Sequence, residues 1–369
     1  MTAPWNETTL PTLLSNYKLE DIFNADEFGL FYQCLPSKSF HLVGEKCSGG
    51  KNSKVRLTGM AAASATGEKL EMFVIGKSKK PRCFKNVKHL PCRYRAQKKS
   101  WMTGDLFEEW VRGLDTSFRA QNRKIVLLID NCPAHPEINN LTNINLVFLP
   151  PNTTSVLQPM DQGVIRSLKA HYRKKVVRLC IKALEGAKSF PKISILQAMK
   201  HLVSSWNVVS KETIVNCFKK SNISISNQQA AVNDYDDPFK SLQEDIDRLN
   251  ELDNEVNLSA EAFANVDSDV VTSAPIESDE DIIAQLIEVD EGCESEEDDQ
   301  DDQDDESVRQ TRPSASEIGN ALEVLQDLSL FSTHGEQIHS LVLKIESTLM
   351  LEKCENLKQS CMTDFFRKK

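Results

Sequence analysis

KIVLLIDN, residues 124–131, is the stretch that decides the fold. Its five consecutive apolar residues, Ile125 to Ile129, are typical of a strand that is buried on both faces at the centre of a sheet. Asp130 and Asn131 follow, so the buried strand ends in polar side chains. The stretch predicts the central strand of an α/β domain, with Asp130 at the edge of the sheet.

Segments on both sides of this strand predict further strands and the helices that cover them. The predicted strands lie at residues 22–32, 55–63, 70–75, 124–129 and 144–149, the last again buried. The second and third form a hairpin. The predicted helices run from Gly104, with Thr103 as the cap, from Asp161 to Leu184, and over residues 192–218. This order predicts a three-layer α/β domain with a mixed central sheet over residues 1–230.

Three aspartates lie where predicted strands or helices meet loops: Asp26, Asp130 and Asp161. If the first and the central strand are parallel neighbours, Asp26 and Asp130 lie side by side, and the helix start presents Asp161 to the same crevice. Such carboxylates suit two Mg²⁺ or Mn²⁺ ions roughly 3.5–4 Å apart, which assist phosphodiester cleavage. From the pattern alone, an aspartate can instead cap a helix or a turn. Asp26 and Glu27 can be a surface pair, of which one member faces the crevice.

Four motifs resemble a known family: NADEFGLFYQCLP (24–36), GKSKKPRCF (76–84), LLIDNCPAH (127–135) and FLPPNTTSVLQPMDQGVIRSLKAHYR (148–173). They resemble the Tigger transposable element-derived proteins, in the pogo and centromere-protein-B branch of the DDE transposases. The resemblance covers roughly residues 1–220 and the helical tail described below. It implies an RNase H-like fold and a metal-binding catalytic triad of Asp26, Asp130 and Asp161. His135 also matches a family position, where we expect a packing or hydrogen-bonding residue beside the site rather than a metal ligand.

The resemblance implies a nuclear, DNA-binding protein with a metal-dependent endonuclease and strand-transfer core. Family members normally carry two helix-turn-helix modules before this core. The given sequence lacks them, so it is either part of a longer protein, the product of a truncated gene prediction, or a protein that has lost these modules. The alternative is a domesticated, non-catalytic protein that binds DNA or chromatin. A hydrolase of small phosphates is a third interpretation. It is disfavoured because sites for small ligands are concave and mostly apolar, whereas the basic residues described below form an open stripe.

Charge divides the chain into a basic and an acidic part. Residues 1–230 hold 34 Lys and Arg against 17 Asp and Glu, whereas residues 231–369 hold 10 against 37. The excess of cations indicates nucleic acid as the partner of the basic part. The candidate DNA contacts form a cluster after the hairpin and one face of the helix after Asp161: Lys77, Lys79, Lys80, Arg82, Arg166, Lys169, Arg173 and Lys174. A solvated surface is the alternative for both sets, and a nuclear localisation patch for the first.

The acidic part contains three predicted segments. Residues 231–311, with the run ESEEDDQDDQDDE at 294–306, predict a largely disordered linker. Residues 312–358 regain helical periodicity and predict a small helical tail. Residues 359–369 resemble the motif by which proteins dock on the replication sliding clamp PCNA, in which Gln359 anchors a plug of Met362, Phe365 and Phe366. The alternative for these side chains is packing against the preceding helices.

Other classes of protein are disfavoured by the composition. No apolar run approaches the roughly 18 residues that a membrane span needs, and the first residues lack the pattern of a signal peptide. The 10 cysteines include no Cys-x-x-Cys pair, which indicates reduced thiols inside a cell. We therefore expect a protein of the nucleus or cytoplasm, without a membrane partner.

Overall fold

The computed structural model describes residues 10–36, 55–150, 157–186, 192–223, 237–252 and 258–274, with eight single residues between Ile318 and Ile345. The chain divides into two compact units, residues 1–303 and 304–369. In the second unit the eight described residues are helical. The rest of the predicted tail, the acidic run at 294–306 and the motif at 359–369 lie outside the described residues. Within the described ranges, no helix has the length and apolar character of a membrane span.

A six-stranded sheet forms the centre of the first unit, in the order β4-β3-β2-β1-β5-β6. The strands are β1 (Ile22–Phe31), β2 (Arg56–Ser64), β3 (Phe73–Gly76), β4 (Arg93–Ala96), β5 (Ile125–Ile129) and β6 (Ile144–Phe148). The β1–β2 and β2–β3 pairs are antiparallel, whereas β1–β5, β5–β6 and β3–β4 are parallel. This mixed sheet, with an antiparallel meander continued by parallel strands, is RNase H-like.

Two strands differ from the sequence-based expectation. β4 was not predicted, because its sequence RYRA has neither an apolar run nor a long alternation. β6 exists as predicted but is not a buried strand, since it is the last strand of the sheet and only Ile144 is fully buried. A strand at the edge of a sheet has a neighbour on one side only, which leaves its side chains half-covered.

Helices cover both faces of the sheet, so the three-layer prediction is confirmed. The helices are α1 (Leu10–Leu14), α2 (Gly104–Ala120), α3 (Ile165–Glu185), α4 (Ile195–Val208), α5 (Lys211–Lys220), α6 (Pro238–Leu252) and α7 (Ala260–Ala264). α2 buries Phe107, Trp110 and Val111 against one face of the sheet. α3 packs on the other face, where it forms part of the larger of the two apolar clusters. The single helix predicted over residues 192–218 is two helices, because the side chain of Ser210 accepts a hydrogen bond from the Thr213 amide and starts a new one.

Residues 237–252 and 258–274 are folded onto α3, which corrects the prediction of a disordered linker for these ranges. α6 buries Leu242, Ile246 and Leu249 completely, and α7 buries Phe263. These apolar residues recur at helical spacing, but acidic neighbours dominate the composition around them. The folded domain therefore continues past residue 230, and removing this segment would expose the apolar face of α3.

Residues 258–274, here called the strap, cross the end of the sheet from β1 to the segment after β4. At one end, Asp267 accepts a hydrogen bond of 3.0 Å from the Phe31 amide. At the other, the Met102 amide donates to the Thr272 carbonyl at 2.7 Å, and the Ala274 amide donates to the Met102 carbonyl at 2.9 Å. The strap therefore ties strands from both halves of the sheet together at the edge where β1 ends.

Candidate metal centre and nucleic-acid interface

A notch in the sheet brings Asp26 and Asp130 together. β5 ends at Ile129, whereas β1 runs on to Phe31. Asn24 pairs with Leu128 in parallel register, and two more residues along each strand place Asp26 beside Asp130. The predicted parallel neighbours are thus confirmed, and the notch leaves the end of β5 open to side chains from both faces of β1.

Glu27 reaches the same notch from the opposite face of the sheet. Asp26 points with Phe28 to the α3 face, and Glu27 points with Ala25 to the α2 face. One carboxylate oxygen from each of Asp26, Glu27 and Asp130 lies within 4.8 Å of the others. The expectation that only one of Asp26 and Glu27 faces the crevice is therefore wrong, because Asp130 lies beyond the end of β5, where both faces meet.

His135 joins Glu27 to Asp130. Its Nε2 lies 2.7 Å from Oε1 of Glu27, and its Nδ1 lies 3.1 Å from the main-chain oxygen of Asp130. The same Nδ1 is 2.9 Å from Oδ1 of Asp130. The ring of Phe107 packs on the imidazole, with centroids 4.3 Å apart. His135 thus hydrogen-bonds beside the site, the role that we expect from the sequence.

The turn before α3 presents Asp161 to Asp26. Met160–Val164 forms a widened, π-helical turn before α3, and inside it Gly163 has φ 146° and ψ −10°, which favours glycine. Asn24 anchors this turn, because its side-chain amide donates to the Leu128 carbonyl at 2.9 Å and its oxygen accepts from the Met160 amide at 3.0 Å. Sequence reasoning missed Asn24, although a polar residue inside a buried strand was a usable signal.

Burial and neighbouring negative charges raise the pKa of Asp26 well above its ordinary range. Burial is the largest cause, followed by the negative charges of Asp161, Glu27 and Asp130 and by a hydrogen bond with Asp161. In that bond the protonated Asp26 carboxyl donates to Asp161, because two ionised carboxylates cannot share a hydrogen bond. For His135, burial lowers the pKa, but the charge of Glu27 and the hydrogen bonds to Asp130 outweigh it and raise the pKa far above the usual range.

The residues present fit a divalent cation. Oδ1 of Asp130 is buried and, among the described residues, accepts no aligned hydrogen bond. Asp26 is 8% exposed, and burial together with neighbouring negative charges raises the pKa of its carboxyl. Hard divalent cations take carboxylate oxygens as ligands, and their charge would turn this mutual repulsion into binding energy. The carboxylate oxygens that gather here, from Asp26, Glu27 and Asp130, are therefore of the type that a divalent cation takes as ligands.

Asp26→Asn is expected to stabilise the domain in EDTA at pH 7, by roughly 2–4 °C in Tm for each kcal/mol gained. The pKa of Asp26 is raised on folding, so its contribution to stability is full below the unfolded pKa near 4 and falls as pH rises through the folded pKa. Asparagine does not ionise, so the Asp26→Asn variant does not lose this stability as the pH rises. Thermal melts of both proteins from pH 4 to 8, with and without Mn²⁺, measure the effect. Mn²⁺ should stabilise only the wild type, and equal melts in EDTA at all pH values would contradict the predicted repulsion.

Comparison with known proteins identifies the family. Residues 54–218 match the family model described as DDE superfamily endonuclease, a range that contains Asp130 and Asp161 and follows Asp26. Tigger transposable element-derived protein 4 of Mus musculus is 41% identical over 59% of this chain and 42% of its own length. CENP-B homolog protein 2 of Schizosaccharomyces pombe is 30% identical over 72% of this chain and 55% of its own.

The chain belongs to the pogo and CENP-B branch of the DDE transposase family. It spans about half the length of these curated relatives. Among solved structures, the Mos1 mariner paired-end complex with Mn matches 58% of this chain and 58% of its own, at 13% identity and a TM-score of 0.35.

Two of the predicted DNA contacts of the DDE domain are buried, which corrects those predictions. Nζ of Lys169 lies 2.6 Å from Oδ1 of Asp267, and Arg173 pairs with Oδ2 of the same aspartate at 2.5 Å. Arg173 is 0% exposed and Lys169 is 6% exposed. These two cations therefore hold the strap to α3 and are not available to a phosphate backbone.

The other two predicted contacts on α3 also face the folded acidic segment. Arg166 pairs with Glu261 at 2.7 Å, and both side chains are largely exposed. Lys174 is half-buried and contacts the hydroxyl of Ser241. The basic face of α3 is thus mostly covered by α6 and the strap, so it contributes little positive charge to the surface of the DDE domain.

The cluster after the hairpin is exposed. Lys77, Lys79, Lys80 and Arg82 follow β3 and are exposed to solvent. β3 is parallel to β1, since each is antiparallel to β2. The end of β3 therefore lies at the same end of the sheet as the notch, roughly 20 Å from Asp26 by strand spacing and rise per residue. This cluster therefore differs from the predicted contacts on α3, because all four of its side chains are exposed.

Proposed function

We propose that this protein is a nuclear DNA-binding protein whose DDE domain cleaves and joins DNA strands with two Mg²⁺ or Mn²⁺ ions. The observation that carries the proposal is the notch at the end of β5, where Asp26, Asp130 and Asp161 are supplied by three separate elements. Asp26 and Asp130 lie side by side in the register of β1 and β5, and Asp161 hydrogen-bonds Asp26 from the turn before α3. Like charges repel one another, so carboxylates that gather around one point are typical of a cation site.

The residues of the notch would divide the work of holding metal. When bound, the ions would activate a water or a 3′-hydroxyl and stabilise the oxygen that leaves the phosphorus. Asp26 would give up its proton to become a ligand, and Asp130 would offer the buried oxygen that accepts no aligned hydrogen bond. Asp161 is exposed and would complete the set of ligands on the side of the site that faces DNA. Asn24 fixes the turn that carries Asp161.

DNA would approach the end of the sheet that carries the notch. Lys77, Lys79, Lys80 and Arg82 are exposed there, and phosphate contacts of this kind position a duplex without reading its sequence. A distance of roughly 20 Å from Asp26 is about the width of a duplex, so one backbone could lie at the cluster while the other meets the carboxylates.

Nicking of supercoiled plasmid by the full chain tests the activity without a known target sequence. Purified protein is incubated with Mn²⁺, with Mg²⁺ or with EDTA, and relaxed plasmid is measured by gel electrophoresis while DNA binding is measured by fluorescence anisotropy. Nicking that needs the metal supports the proposed function. DNA binding without nicking would favour the non-catalytic, domesticated alternative. Absence of both DNA binding and nicking would overturn both the proposed function and this alternative.

Replacing Lys77, Lys79 and Lys80 by glutamine is expected to weaken DNA binding by roughly tenfold or more at 150 mM salt. Each lost phosphate contact should also lower the slope of log K against log salt by about one. Binding is measured in EDTA, so that cleavage does not interfere. The matched control replaces Arg119, Lys124 and Lys211, which are exposed near the opposite end of the sheet. Equal losses in the two triple variants would show that the cluster is not the contact surface.

The predicted PCNA-docking motif, with Gln359, Met362, Phe365 and Phe366, lies outside the described residues. It stays a prediction.

A further inference from the structure

We propose that Glu27 and His135 form a positioning pair that holds the Asp130 carboxylate in place for metal binding. The inference rests on the proposed function and adds two residues from the α2 face of the sheet. Neither residue would touch the reacting phosphate. Their role would be to fix the side chain of Asp130, which lies just beyond the last residue of β5.

The imidazole of His135 joins the Glu27 carboxylate to the main chain of Asp130 and lies in close contact with the Asp130 carboxylate. Oε1 of Glu27 is 2.7 Å from Nε2 of His135, whose Nδ1 is within 3.1 Å of the main-chain oxygen of Asp130 and 2.9 Å of its Oδ1. The side chain of His135 is 0% exposed and that of Glu27 is 4% exposed. Phe107 stacks on the ring and removes its remaining freedom to rotate.

The burial of Glu27 and His135 argues that their contact has a role beyond packing. A polar group that leaves water without a hydrogen-bond partner is destabilising, so the Glu27 carboxyl needs the partner that His135 provides. Packing alone would be served better by two apolar side chains of similar size. A buried Glu–His pair that ends on Asp130 therefore points to a task at Asp130, and hydrogen-bonded partners of metal ligands commonly have this task.

Glu27 could instead bind metal directly, since one of its oxygens lies within 4.8 Å of oxygens of Asp26 and Asp130. The 2.7 Å contact between Oε1 and His135 argues against this, because it already occupies that oxygen on the α2 face. Asp26 and Asp161 meet on the other face. The two roles make different demands on residue 27, and this difference makes them separable by substitution.

Two conservative variants separate reach from charge. Glu27→Gln keeps the length and a hydrogen-bonding group for His135 but loses the charge. Glu27→Asp keeps the charge but is one methylene shorter, so its oxygen no longer reaches Nε2. A positioning pair predicts that Mn²⁺ affinity falls about 10–100-fold in Glu27→Asp and changes only a few-fold in Glu27→Gln.

Mn²⁺ binding to the full chain is measured by electron paramagnetic resonance of the free ion, without DNA and without a need for activity. Glu108→Asp and Glu108→Gln are matched controls, because Glu108 is exposed on α2 and pairs only within that helix with Arg112 in the contacts described. Melts in EDTA establish that each variant is folded, and nicking rates are recorded alongside.

A loss in Glu27→Asp together with retention in Glu27→Gln supports the positioning pair. A loss in Glu27→Gln as large as in Glu27→Asp would overturn it in favour of a direct ligand. Retention in both variants would overturn it in favour of packing, and the proposed function would stand. Absence of Mn²⁺ binding by the wild type would overturn both this inference and the metal site itself.

Discussion

Asp130→Asn is expected to abolish metal-dependent nicking of plasmid DNA, with a loss in rate of at least roughly 10³-fold. A metal ion at the reacting phosphate contributes several kcal/mol to transition-state stabilisation, and each 1.36 kcal/mol is a factor of ten in rate. Asparagine preserves the size of the side chain but offers a neutral oxygen, which is a poor ligand for a hard cation. The fold should survive, because asparagine keeps the main-chain oxygen to which Nδ1 of His135 is hydrogen-bonded.

The control for Asp130→Asn is Asp247→Asn, an exposed aspartate on α6. This variant should nick at the wild-type rate, since its side chain contacts Gln243 on the same helix at 2.8 Å. Single-turnover rates in saturating Mn²⁺ are the measurement, with melts in EDTA to establish folding. Residual metal-dependent nicking within tenfold of the wild type would show that the nuclease is not the one built around Asp130.

Asp267→Ala is expected to lower the free energy of unfolding by roughly 3–5 kcal/mol, because it leaves two buried cations without their partner. Both carboxylate oxygens of Asp267 are used, one by Lys169 and the other by Arg173 and the Phe31 amide. Arg173 is 0% exposed, so water cannot replace the lost carboxylate. The loss corresponds to a fall in Tm of about 10 °C or more, measured by calorimetry or urea unfolding.

Glu261→Ala is the matched control for Asp267→Ala. It removes the partner of Arg166 in the same strap, but that pair is exposed and should contribute less than about 1 kcal/mol. If Asp267→Ala costs no more than Glu261→Ala, the strap is not docked in solution. This dependence on the strap is also the reason to measure nicking on the full chain rather than on a fragment that ends near residue 230.

The buried core of the domain could be predicted from local sequence, whereas its edges could not. The run Ile125–Ile129 predicts a central strand, and Thr103 predicts the start of α2, because both signals lie within a few residues of the feature. β4 carries no such signal in four residues of mixed polarity. α6 was hidden for another reason, since its three buried apolar residues are diluted by acidic neighbours.

The basic face of α3 shows where charge patterns mislead. Steps of three and four placed Arg166, Lys169 and Arg173 on one face, and that inference about the helix was sound. Whether such a face meets DNA or another part of the chain depends on what packs there. Asp267 lies 94 residues after Arg173, and no local pattern connects the two.

By itself, the sequence determined the α/β class, the central strand, the presence of three candidate aspartates and the family resemblance, because each follows from local patterns or motifs. Only the tertiary structure decided that Glu27 meets His135 and Asp130, and that the strap takes Lys169 and Arg173 from the surface. The reason is physical: these contacts join residues about 90 to 110 positions apart, and pairing at such separation is fixed by strand register and packing.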